Sequence, residues 1–532
     1  MIKNKIYNFQ MAKDKGYTFK KFLEKFVEPL DMSLKPEAIT FATMDKIVSK
    51  ILQAIKDNKK LVILGDYDVD GITSSAILYK AIKALNGDVE VILPDRFLDG
   101  YGASNHLIEK AQNMGADLLI TVDNGINAIP ALSLAKTLDI DVIITDHHIP
   151  NDDSWKFFKE YTMNPHCIDS NLKNKGVCGA YVALILAIHL LGKESSLIPE
   201  LKELASIGTV ADCMEIAYEN RTLLAEMQEN WKKGIIKNKG INLLINTLNK
   251  FDLKDMEQEN IGFYLAPCLN ASGRLRTADD SFAILTEPFS KSLCEKALDL
   301  VSLNVRRQDL TNQASAILTE KINLKNEVQI INFKDSTLDA SPREMEGIIG
   351  LIAQKCVDLS NCPSLIFYGD KFSGRSLPDV DLHKLVGLTA KKVPSLSYGG
   401  HVGACGGKIN FDKEYQAFQD ALNKSIEEAS FEVTVPYIRI PKDSNFKELY
   451  DAVESLKPCK DLPSFIMDDL NVIGHELVGD KHSKLIVDLN GKRMDVLKFN
   501  EKINIDYIKR LVFRPALNFM GGMSLFAEKI IN

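Results

Sequence analysis

The sequence has no CxxC pair among its nine cysteines, which are scattered along the chain and odd in number. This pattern disfavours a zinc ribbon and a disulfide framework, and it is typical of reduced thiols in a cytosol. The first residues, MIKNKIYNFQMAKDKGY, carry positive charge but lack the apolar run of a secretory signal. We therefore expect a cytoplasmic protein.

The sequence also lacks the run of about 20 apolar residues that a membrane-spanning helix needs. Its most apolar stretch, Cys178 to Leu191, is shorter and contains His189, so we interpret it as a buried helix and expect no membrane contact. The net charge of -7 means that no positive field surrounds the whole molecule. Any nucleic acid would therefore have to bind in a local basic groove.

The 532 residues, 45% hydrophobic and 26% charged, are typical of a folded globular protein. A single hydrophobic core stops growing at roughly 250 to 300 residues, so we expect several domains. Between Lys60 and Pro150, short β-branched runs alternate with amphipathic helical patterns, which predicts βαβ units and a parallel sheet. Acidic residues follow three of these strands, at the edge where such sheets bind ligands.

Later segments change character. Helical periodicity dominates from about residue 174 to residue 325, and a second α/β unit begins at VQIINF. Near the end, Asn490-Gly491 separates two strand-like runs, the strongest short hairpin signal. These patterns predict a small β domain at the end of the chain.

The segment GDYDVDG, Gly65 to Gly71, is the first candidate for chemistry, because three alternating aspartates are hard to hold together without a cation. It is not an EF-hand, since Ile77 stands where a bidentate Glu belongs and a strand precedes the loop. The alternative is a solvated acidic turn. The segment alone leaves both interpretations open.

The segment TDHH, Thr145 to His148, adds two imidazoles at another strand end. Neighbouring side chains point in different directions, so His147 and His148 should serve different ligands. Mixed carboxylate and imidazole donors suit Mn²⁺ or Mg²⁺ better than zinc. Asp212 lies in an apolar segment, where a carboxylate needs a cation or an ion pair.

Four segments together, GDYDVDG, VDNG, TDHH and GTVAD, resemble in order and arrangement the four motifs of the DHH phosphoesterase superfamily. Within that superfamily, the sequence is similar to the single-strand-specific 5′→3′ DNA exonucleases. The segments RFLDGYGAS, VCGAYVA, NASGRL, GIIGLIA, FSGRS and YGGH extend the resemblance. It covers the chain from about residue 45 to the end, strongly between Lys60 and Lys408 and weakly in the terminal β domain.

The resemblance implies an α/β fold class made of a parallel-sheet DHH domain, a connecting helix, a second α/β domain that is DHH-associated, and a C-terminal OB-like β domain. The expected boundaries are 1–45 for an N-terminal segment, 46–285 for the DHH domain, 286–325 for the connecting helix, 326–430 for the DHH-associated domain and 431–532 for the OB-like domain.

The resemblance further implies a centre of two ions, Mn²⁺ or Mg²⁺, that needs no protein nucleophile. Its expected ligands are Asp66, Asp68, Asp70, Asp123, His147 and Asp212, with Asp66 shared or supporting. His148, Arg274 and His401 would contact the scissile phosphate, and Arg96, Ser373 and Arg375 would bind a 5′-terminal phosphate. The alternative for these last three is ordinary surface arginines and a turn. Asn124 is a weaker supporting candidate.

Two features depart from the family pattern. Met345 stands where the family usually has His before GIIGLIA, which puts phosphate or backbone contacts there in doubt. The terminal domain offers few aromatics at stacking spacing. Phe513, Phe519 and Phe526 could stack on bases or belong to the core.

The function implied is metal-dependent hydrolysis of single-stranded DNA from its 5′ end, releasing 5′-mononucleotides in recombination and repair. The expected protein is a monomer, and a single-strand-binding protein or a helicase could be its partner. Two alternatives stay open. One is a DHH phosphodiesterase of short oligonucleotides or cyclic dinucleotides, and the other is an inactive nucleic-acid-binding scaffold.

Overall fold

The computed structural model describes residues 2–100, 102–334, 336, 338–377, 380–390, 392–428, 433–459, 462–479, 482–499, 501–518 and 522–531, without the side chains of 2–4, 401, 427, 428 and 433–435. The chain divides into two compact units. One contains residues 30–429, and the other joins residues 1–29 to residues 430–532. The patterning of the sequence does not reveal this association of the two ends.

The strands are, in chain order, β1 (Ile2–Asn8), β2 (Lys60–Leu64), β3 (Asp88–Ile92), β4 (Leu118–Val122), β5 (Asp141–Thr145), β6 (Thr162–Met163), β7 (Gln329–Asn332), β8 (Ser364–Tyr368), β9 (Lys371–Arg375), β10 (Ser397–His401), β11 (Ala404–Lys408), β12 (Val433–Arg439), β13 (Ser464–Val478), β14 (His482–Leu489), β15 (Lys492–Lys498), β16 (Tyr507–Leu517) and β17 (Met523–Ile531).

The helices are α1 (Phe9–Lys13), α2 (Phe19–Leu23), α3 (Met44–Lys56), α4 (Val69–Ala84), α5 (Asn105–Asn113), α6 (Ile129–Thr137), α7 (Gly179–Leu191), α8 (Ile198–Ala211), α9 (Tyr218–Lys232), α10 (Lys239–Leu248), α11 (Gln258–Asn260), α12 (Ala266–Leu275), α13 (Asp279–Thr286), α14 (Lys291–Lys321), α15 (Pro342–Ser360), α16 (Leu382–Ala390), α17 (Phe411–Glu428) and α18 (Phe446–Leu456). Short 3₁₀ segments cover Pro36–Ala38, Ser154–Tyr161 and Leu253–Asp255, and a π-helical turn covers Ile261–Leu265.

The larger unit begins with the parallel sheet that the sequence predicts. Its strands lie in the order β3-β2-β4-β5-β6 and all neighbours are parallel. Every residue of β4 is buried, because helices cover both faces of the sheet. The strand order reverses between the neighbouring strands β2 and β4. In α/β proteins, ligands bind in the crevice at the carboxyl ends of the two strands where the order reverses.

The most apolar helix, α7, packs against α4 and α8, and nearly all of its residues are buried. The structure thus confirms it as a core helix. In the described ranges, no helix is both long enough and apolar enough to cross a membrane.

A single long helix, α14, follows the first lobe of this unit (residues 30–286) and leads into a second lobe (residues 329–428). The sheet of the second lobe has the order β10-β11-β9-β8-β7. A capping box of Ser341 and Glu344 starts α15, which lies across this sheet. Met345 is buried with Ile348 and Ile352 in a core that α12, α14 and α15 share.

The smaller unit contains a closed five-stranded barrel in which β13 pairs with both β14 and β16. The barrel order is β13-β14-β15-β17-β16, with β15 and β17 parallel, which is an OB-like arrangement. Asn490 and Gly491, both at positive φ, form the predicted hairpin turn between β14 and β15. Strands β12 and β1 extend the sheet from β13.

Of the aromatic residues considered for stacking in this barrel, Phe513 is fully buried and belongs to the core. Phe526 is partly exposed and packs edge-on against Phe499, with ring centroids 5.2 Å apart. Phe519 lies outside the described residues.

Candidate metal centre

The loop after β2 places three carboxylates where α4 begins. Asp68 caps that helix by accepting a hydrogen bond from Gly71 N at 3.1 Å. Asp70 lies in the first turn, and its carboxylate accepts hydrogen bonds from the first two amides of α7, Gly179 N at 2.6 Å and Ala180 N at 2.8 Å. Two helix N-termini therefore fix the direction of these acidic side chains, and their dipoles favour negative charge there.

Asp123 follows β4 directly, and its φ of 60° lies in the left-handed region. Asp is one of the few residues besides Gly that adopt this conformation readily. Its backbone amide still donates to Thr145 O of β5 at 3.1 Å, so the sheet ladder extends to the acidic residue itself.

Asp146 follows β5 directly and forms hydrogen bonds with both His147 and His148. Its Oδ1 accepts hydrogen bonds from His147 N at 2.7 Å and His148 N at 3.1 Å, and it lies 2.7 Å from His148 Nδ1. Burial would raise the pKa of Asp146, but the hydrogen bond and charge of His148 lower it to about 2. The same interaction outweighs burial and raises the pKa of His148 to about 9. The two groups therefore form an ion pair at neutral pH.

The imidazole of His147 is surrounded by carboxylates from three elements. Its Nε2 lies 3.1 Å from Asp123 Oδ1, 3.6 Å from Asp212 Oδ2 and 3.7 Å from Asp70 Oδ2. Burial is the main reason that the pKa of His147 is lowered. A neutral imidazole is the form that binds metal ions.

Three groups of side chains offer ligand atoms within 4.8 Å of one another. The groups are Asp66 with Asp68 and Asp123, Asp70 with His147 and Asp212, and Asp123 with His147 and His148. All six metal ligands expected from the sequence occur in these groups. The structure therefore brings together residues that are up to 146 positions apart in the chain, from Asp66 to Asp212.

The carboxylates of this cluster are electrostatically unfavourable without a cation. Burial, and then repulsion by neighbouring carboxylates, raises the pKa of Asp66 to about 8 and that of Asp212 to about 9. The pKa values of Asp68 and Asp123 are raised for the same two reasons. Asp212 Oδ2 is buried and has no hydrogen-bond partner among the described residues. Oxygen and imidazole donors in this arrangement fit Mn²⁺ or Mg²⁺, which favours a metal site over the solvated acidic turn.

Glycines allow the carboxylates to come this close. A Cβ at Gly71 would lie 2.6 Å from Asp66 Cβ, and one at Gly179 would lie 2.6 Å from Asp123 Cβ. A Cβ at Gly208, the glycine of GTVAD, would lie 2.8 Å from Asp70 Oδ1. These motif glycines are therefore needed for space beside the acidic side chains.

Arginines lie beside the acidic cluster. Arg274, near the end of α12, is half-buried and donates from Nη1 to Gly347 O of α15 at 3.3 Å. Burial, and then the positive charges of Arg96 and Arg375, lower the pKa of Arg274 to about 9. The negative charge of nearby Asp68 raises the pKa of Arg274 and so partly offsets this decrease.

The residues expected at a terminal phosphate come from both lobes. Arg96 of the first lobe lies over the ring of Tyr67, with its guanidinium carbon 3.9 Å from the centroid. Arg375 of the second lobe donates from Nη1 to Ser373 Oγ at 3.4 Å and to Gly374 O at 2.9 Å. His401 is in β10, but its side chain is outside the described part of the structure.

Asn124, the weaker supporting candidate, contacts the backbone at the ends of two neighbouring strands. Asn124 donates from Nδ2 to the carbonyls of Leu64, Gly65 and Val122, so it ties the ends of β2 and β4 together.

Asn164 and His166 follow β6, which is too short for its periodicity to be recognised in the sequence. Asn164 Nδ2 donates to His148 O at 2.9 Å, and His166 N donates to Asn164 Oδ1 at 2.8 Å. Burial first, and then the charges of His147 and His148, lower the pKa of His166. The segment Asn164-Pro165-His166 was the signal that could have indicated this part of the site.

Comparisons with known proteins agree with this geometry. Residues 60–209 match the family model described as the DHH family, N-terminal domain. The chain is 32% identical over 387 residues to the single-stranded-DNA-specific exonuclease RecJ of Bacillus subtilis, covering 72% of this chain and 46% of the relative. It is 28% identical over 497 residues to RecJ of Salmonella typhimurium, covering 86% of this chain and 83% of the relative. The chain thus spans about half the length of one of these relatives and most of the other.

The crystal structure of RecJ in complex with Mn²⁺ from Thermus thermophilus has a TM-score of 0.81 with this chain. The match is 19% identical in sequence and covers 100% of this chain and 80% of that structure, so it shows a shared fold. Another crystal structure, of exonuclease RecJ bound to manganese, has a TM-score of 0.60 at 24% identity and covers 76% of this chain and 99% of that structure.

Residues 60–209 of this chain are thus identified as a DHH-family N-terminal domain, as expected from the resemblance to the DHH phosphoesterase superfamily. Its relatives within that superfamily are the RecJ proteins, as the motifs of the sequence indicated. The fold expected from this resemblance, with a parallel-sheet domain, a second α/β lobe and a small β domain, is confirmed.

Proposed function

We propose that this chain is a metal-dependent exonuclease that degrades single-stranded DNA from its 5′ end and releases 5′-mononucleotides. The observation that carries the proposal is the convergence of all six expected ligands at the switch point between β2 and β4. An inactive scaffold would have no need for so many buried carboxylates that repel one another. The RecJ relatives, described as single-stranded-DNA-specific exonucleases, support this choice of substrate.

Asp66, Asp68, Asp70, Asp123, His147 and Asp212 would hold two divalent cations, Mn²⁺ or Mg²⁺. When bound, such a pair activates water and stabilises the charge that develops on a phosphodiester during in-line attack. The protein residues position this chemistry. Gly179 N and Ala180 N orient Asp70, and the backbone of β4 orients Asp123.

His148 and Arg274 would act on the scissile phosphate. Asp146 holds His148 through Nδ1 and keeps the ring protonated, so the ring can offer a proton from Nε2 to a phosphate oxygen. Arg274 brings a fixed positive charge close to Asp68. His401 belongs to the same proposal through the family motif YGGH.

The proposed pocket for the 5′-terminal phosphate consists of Arg96, Ser373 and Arg375. A guanidinium offers paired donors to phosphate oxygens, and a terminal phosphate carries more charge than an internal diester. Gly350 lies under this pocket, because a Cβ there would lie 3.1 Å from Ser373 Oγ and 3.2 Å from Arg375 Nη2. The pocket would set the polarity of degradation by selecting a chain end.

The remaining assignments follow from this activity. Residues 46–285 would supply the metal centre, residues 286–325 the connection and residues 326–430 the grip on substrate, and the OB-like barrel would bind single-stranded DNA. The enzyme would act in the cytoplasm as a monomer in recombination and repair. Because it needs single strands, a helicase or a single-strand-binding protein would supply its substrate.

Purified protein should be tested on end-labelled single strands, blunt duplexes and dinucleotides, with and without Mg²⁺ or Mn²⁺. Single strands should be degraded to mononucleotides only with the cation, and blunt duplexes should resist. Hydrolysis of dinucleotides alone would support a small-substrate phosphodiesterase. Binding of single strands without any hydrolysis would support the inactive scaffold.

A further inference from the structure

The loop between β3 and α5 carries Arg96 in a tight turn. Asp95 Oδ1 accepts a hydrogen bond from Phe97 N, Asp95 N donates to Asp99 Oδ2, and Asp99 N donates to Asp95 O, each at 2.8 Å. Arg96 is therefore presented by a turn whose geometry depends on the carboxylates of its neighbours.

The guanidinium of Arg96 contacts an aromatic ring and lies near the carboxylates of Asp66 and Asp68. It stacks on Tyr67, and its Nε is buried with no hydrogen-bond partner among the residues that the structure describes. The position of Arg96 therefore depends on the loop that carries it, together with this stacking and the nearby carboxylates of Asp66 and Asp68.

Arg343 of the second lobe holds both neighbours of Arg96. Its Nη2 donates to Asp95 Oδ2 at 2.5 Å, and its guanidinium carbon lies 4.3 Å from the centroid of the Phe97 ring. The same Nη2 donates to Arg276 O at 2.9 Å. Burial would raise the pKa of Asp95, but the hydrogen bond from Arg343 lowers it, so the pair is ionised at neutral pH.

The position of Arg343 in its own helix does not explain its presence. It is the second residue of α15, where the helix dipole disfavours a positive charge. The polar partners of its guanidinium, Asp95 and Arg276, lie in the first lobe. These hydrogen bonds indicate that Arg343 stabilises the contact between the two lobes.

We propose that Arg343 is a positioning residue that fixes the β3–α5 loop, and through it Arg96, for recognition of a 5′-terminal phosphate. The inference rests on the proposed function. Arg96 comes from the first lobe, whereas Ser373 and Arg375 come from the second. Helix α15 contacts both halves, since Arg343 holds the loop of Arg96 and Gly350 packs against Arg375. Arg343 therefore links the loop of Arg96 to the helix that also contacts Arg375, on the other side of the proposed pocket.

The test compares Arg343→Ala with the matched control Arg306→Ala. Arg306 is similarly exposed, 39% against 36%, and pairs with Glu344, the residue next to Arg343, at 2.9 Å. KM and kcat are measured for the same strand with a 5′-phosphate and with a 5′-hydroxyl. Arg343→Ala should raise KM for the phosphorylated strand roughly three- to tenfold, as expected for a partly exposed ion pair that positions a charged contact. KM for the hydroxyl strand and kcat for both strands should change by less than about twofold.

Three further measurements separate positioning from a general loss of structure. Arg343→Lys, which keeps the charge, should restore part of the phosphate preference. In an Arg96→Ala background, Arg343→Ala should have no further effect on that preference. Amide hydrogen exchange of residues 94–100 should increase in Arg343→Ala and remain unchanged in Arg306→Ala.

The inference is overturned if wild type prefers the phosphorylated strand and Arg343→Ala keeps that preference, or if Arg306→Ala loses it equally. It is also overturned if wild type hydrolyses both strands alike, since no phosphate pocket then exists. A wild-type protein that hydrolyses no single strand with Mg²⁺ or Mn²⁺ contradicts the proposed function instead. If Arg343→Ala does not fold, Arg343→Lys decides. A partial loss of the phosphate preference with faster exchange of residues 94–100 supports the inference, and wild-type values of both overturn it.

Discussion

Asp123 combines an unusual backbone conformation with a buried charge. Asn tolerates the left-handed conformation as well as Asp does, so Asp123→Asn tests the charge without straining the backbone. We predict that hydrolysis falls at least about 100-fold, because the proposed metal centre would lose one of its ligands. The melting temperature of the metal-free protein should stay equal or rise, since Asn cannot carry the charge that burial and the neighbouring carboxylates make unfavourable at Asp123.

The control for this prediction is Asp117→Asn at the opposite end of β4. Asp117 is exposed and accepts a hydrogen bond from Lys60 N, which Asn can also accept. The hydrolytic activity of Asp117→Asn should match that of the wild type. A folded Asp123→Asn protein with wild-type turnover would remove Asp123 from the metal centre.

The raised pKa values of the cluster predict how stability depends on pH. Asp66 and Asp212 hold protons in the folded state up to about pH 8 and pH 9, but in the unfolded state only up to their ordinary value of 3.8. His148 holds its proton up to about pH 9 when folded and up to 6.5 when unfolded. In the interval from 6.5 to 9 the folded state therefore binds more protons, and stability must fall as pH rises.

We predict that the melting temperature of the metal-free protein decreases between pH 6.5 and pH 9, the interval set by these pKa values. The increase caused by Mg²⁺ should grow over the same interval, because the cation displaces those protons. Asp212→Asn should flatten the profile, whereas Asp152→Asn, an exposed carboxylate that stays ionised in this range, should not. A metal-free profile that is level or rises with pH would contradict the electrostatic account of the cluster.

At the level of elements, three helices approach one another closely around Gly208 of α8. A Cβ there would lie 2.7 Å from Ala180 Cβ of α7 and 2.7 Å from Thr73 Oγ1 of α4. Helix propensity alone would favour Gly208→Ala by about 1 kcal/mol. Overpacking costs about 1 to 3 kcal/mol, so we predict a net loss in the free energy of unfolding.

The same substitution should reduce hydrolysis, because α8 carries Asp212 and the new methyl group would push against Asp70 Oδ1. Displacement by about 1 Å can cost on the order of 100-fold in rate. Denaturant unfolding and kcat measure the two effects. The control is Gly262→Ala, whose Cβ would meet only Val210 at an ordinary 3.7 Å, and which should not be destabilised. Equal stability of the two variants would show that the helices can move apart without cost.

Some elements could be predicted from the sequence because their signal is local. The strands β2, β4 and β5 are continuous apolar runs, and each is followed by an acidic residue, so both the sheet and its ligand edge were foreseen. The hairpin at Asn490 was predicted by its turn residues. The role of Asp146 was not foreseen, because its hydrogen bonds to both histidines depend on the turn after β5 and not on a pattern.

Other elements depend on contacts between distant segments, which periodicity does not report. Strand β1 pairs with β12 more than 400 residues later, Ile2 opposite Val433, and the barrel closes because β13 bends to pair with two strands. The contact of Arg343 with Asp95 likewise joins residues that are 248 positions apart. Such pairings become visible only in the folded chain.

For the whole molecule, the net charge of -7 and the cluster of Arg96, Arg274 and Arg375 act in opposite directions on a DNA strand. An acidic protein attracts nucleic acid weakly at long range, so we expect the arginines beside the proposed metal centre to contribute a local attraction. This distribution suits an enzyme that captures one end of a strand.

The most direct test of the central claim follows the fate of the 5′-terminal nucleotide. A single strand labelled at its 5′ end is mixed with excess protein and Mg²⁺ or Mn²⁺, and the reaction is stopped at early times. The account predicts that a labelled 5′-mononucleotide is the first labelled product, while the same strand labelled at its 3′ end shortens progressively. Labelled 5′ fragments of many lengths at early times would contradict it, because they would show cleavage within the strand or from the 3′ end.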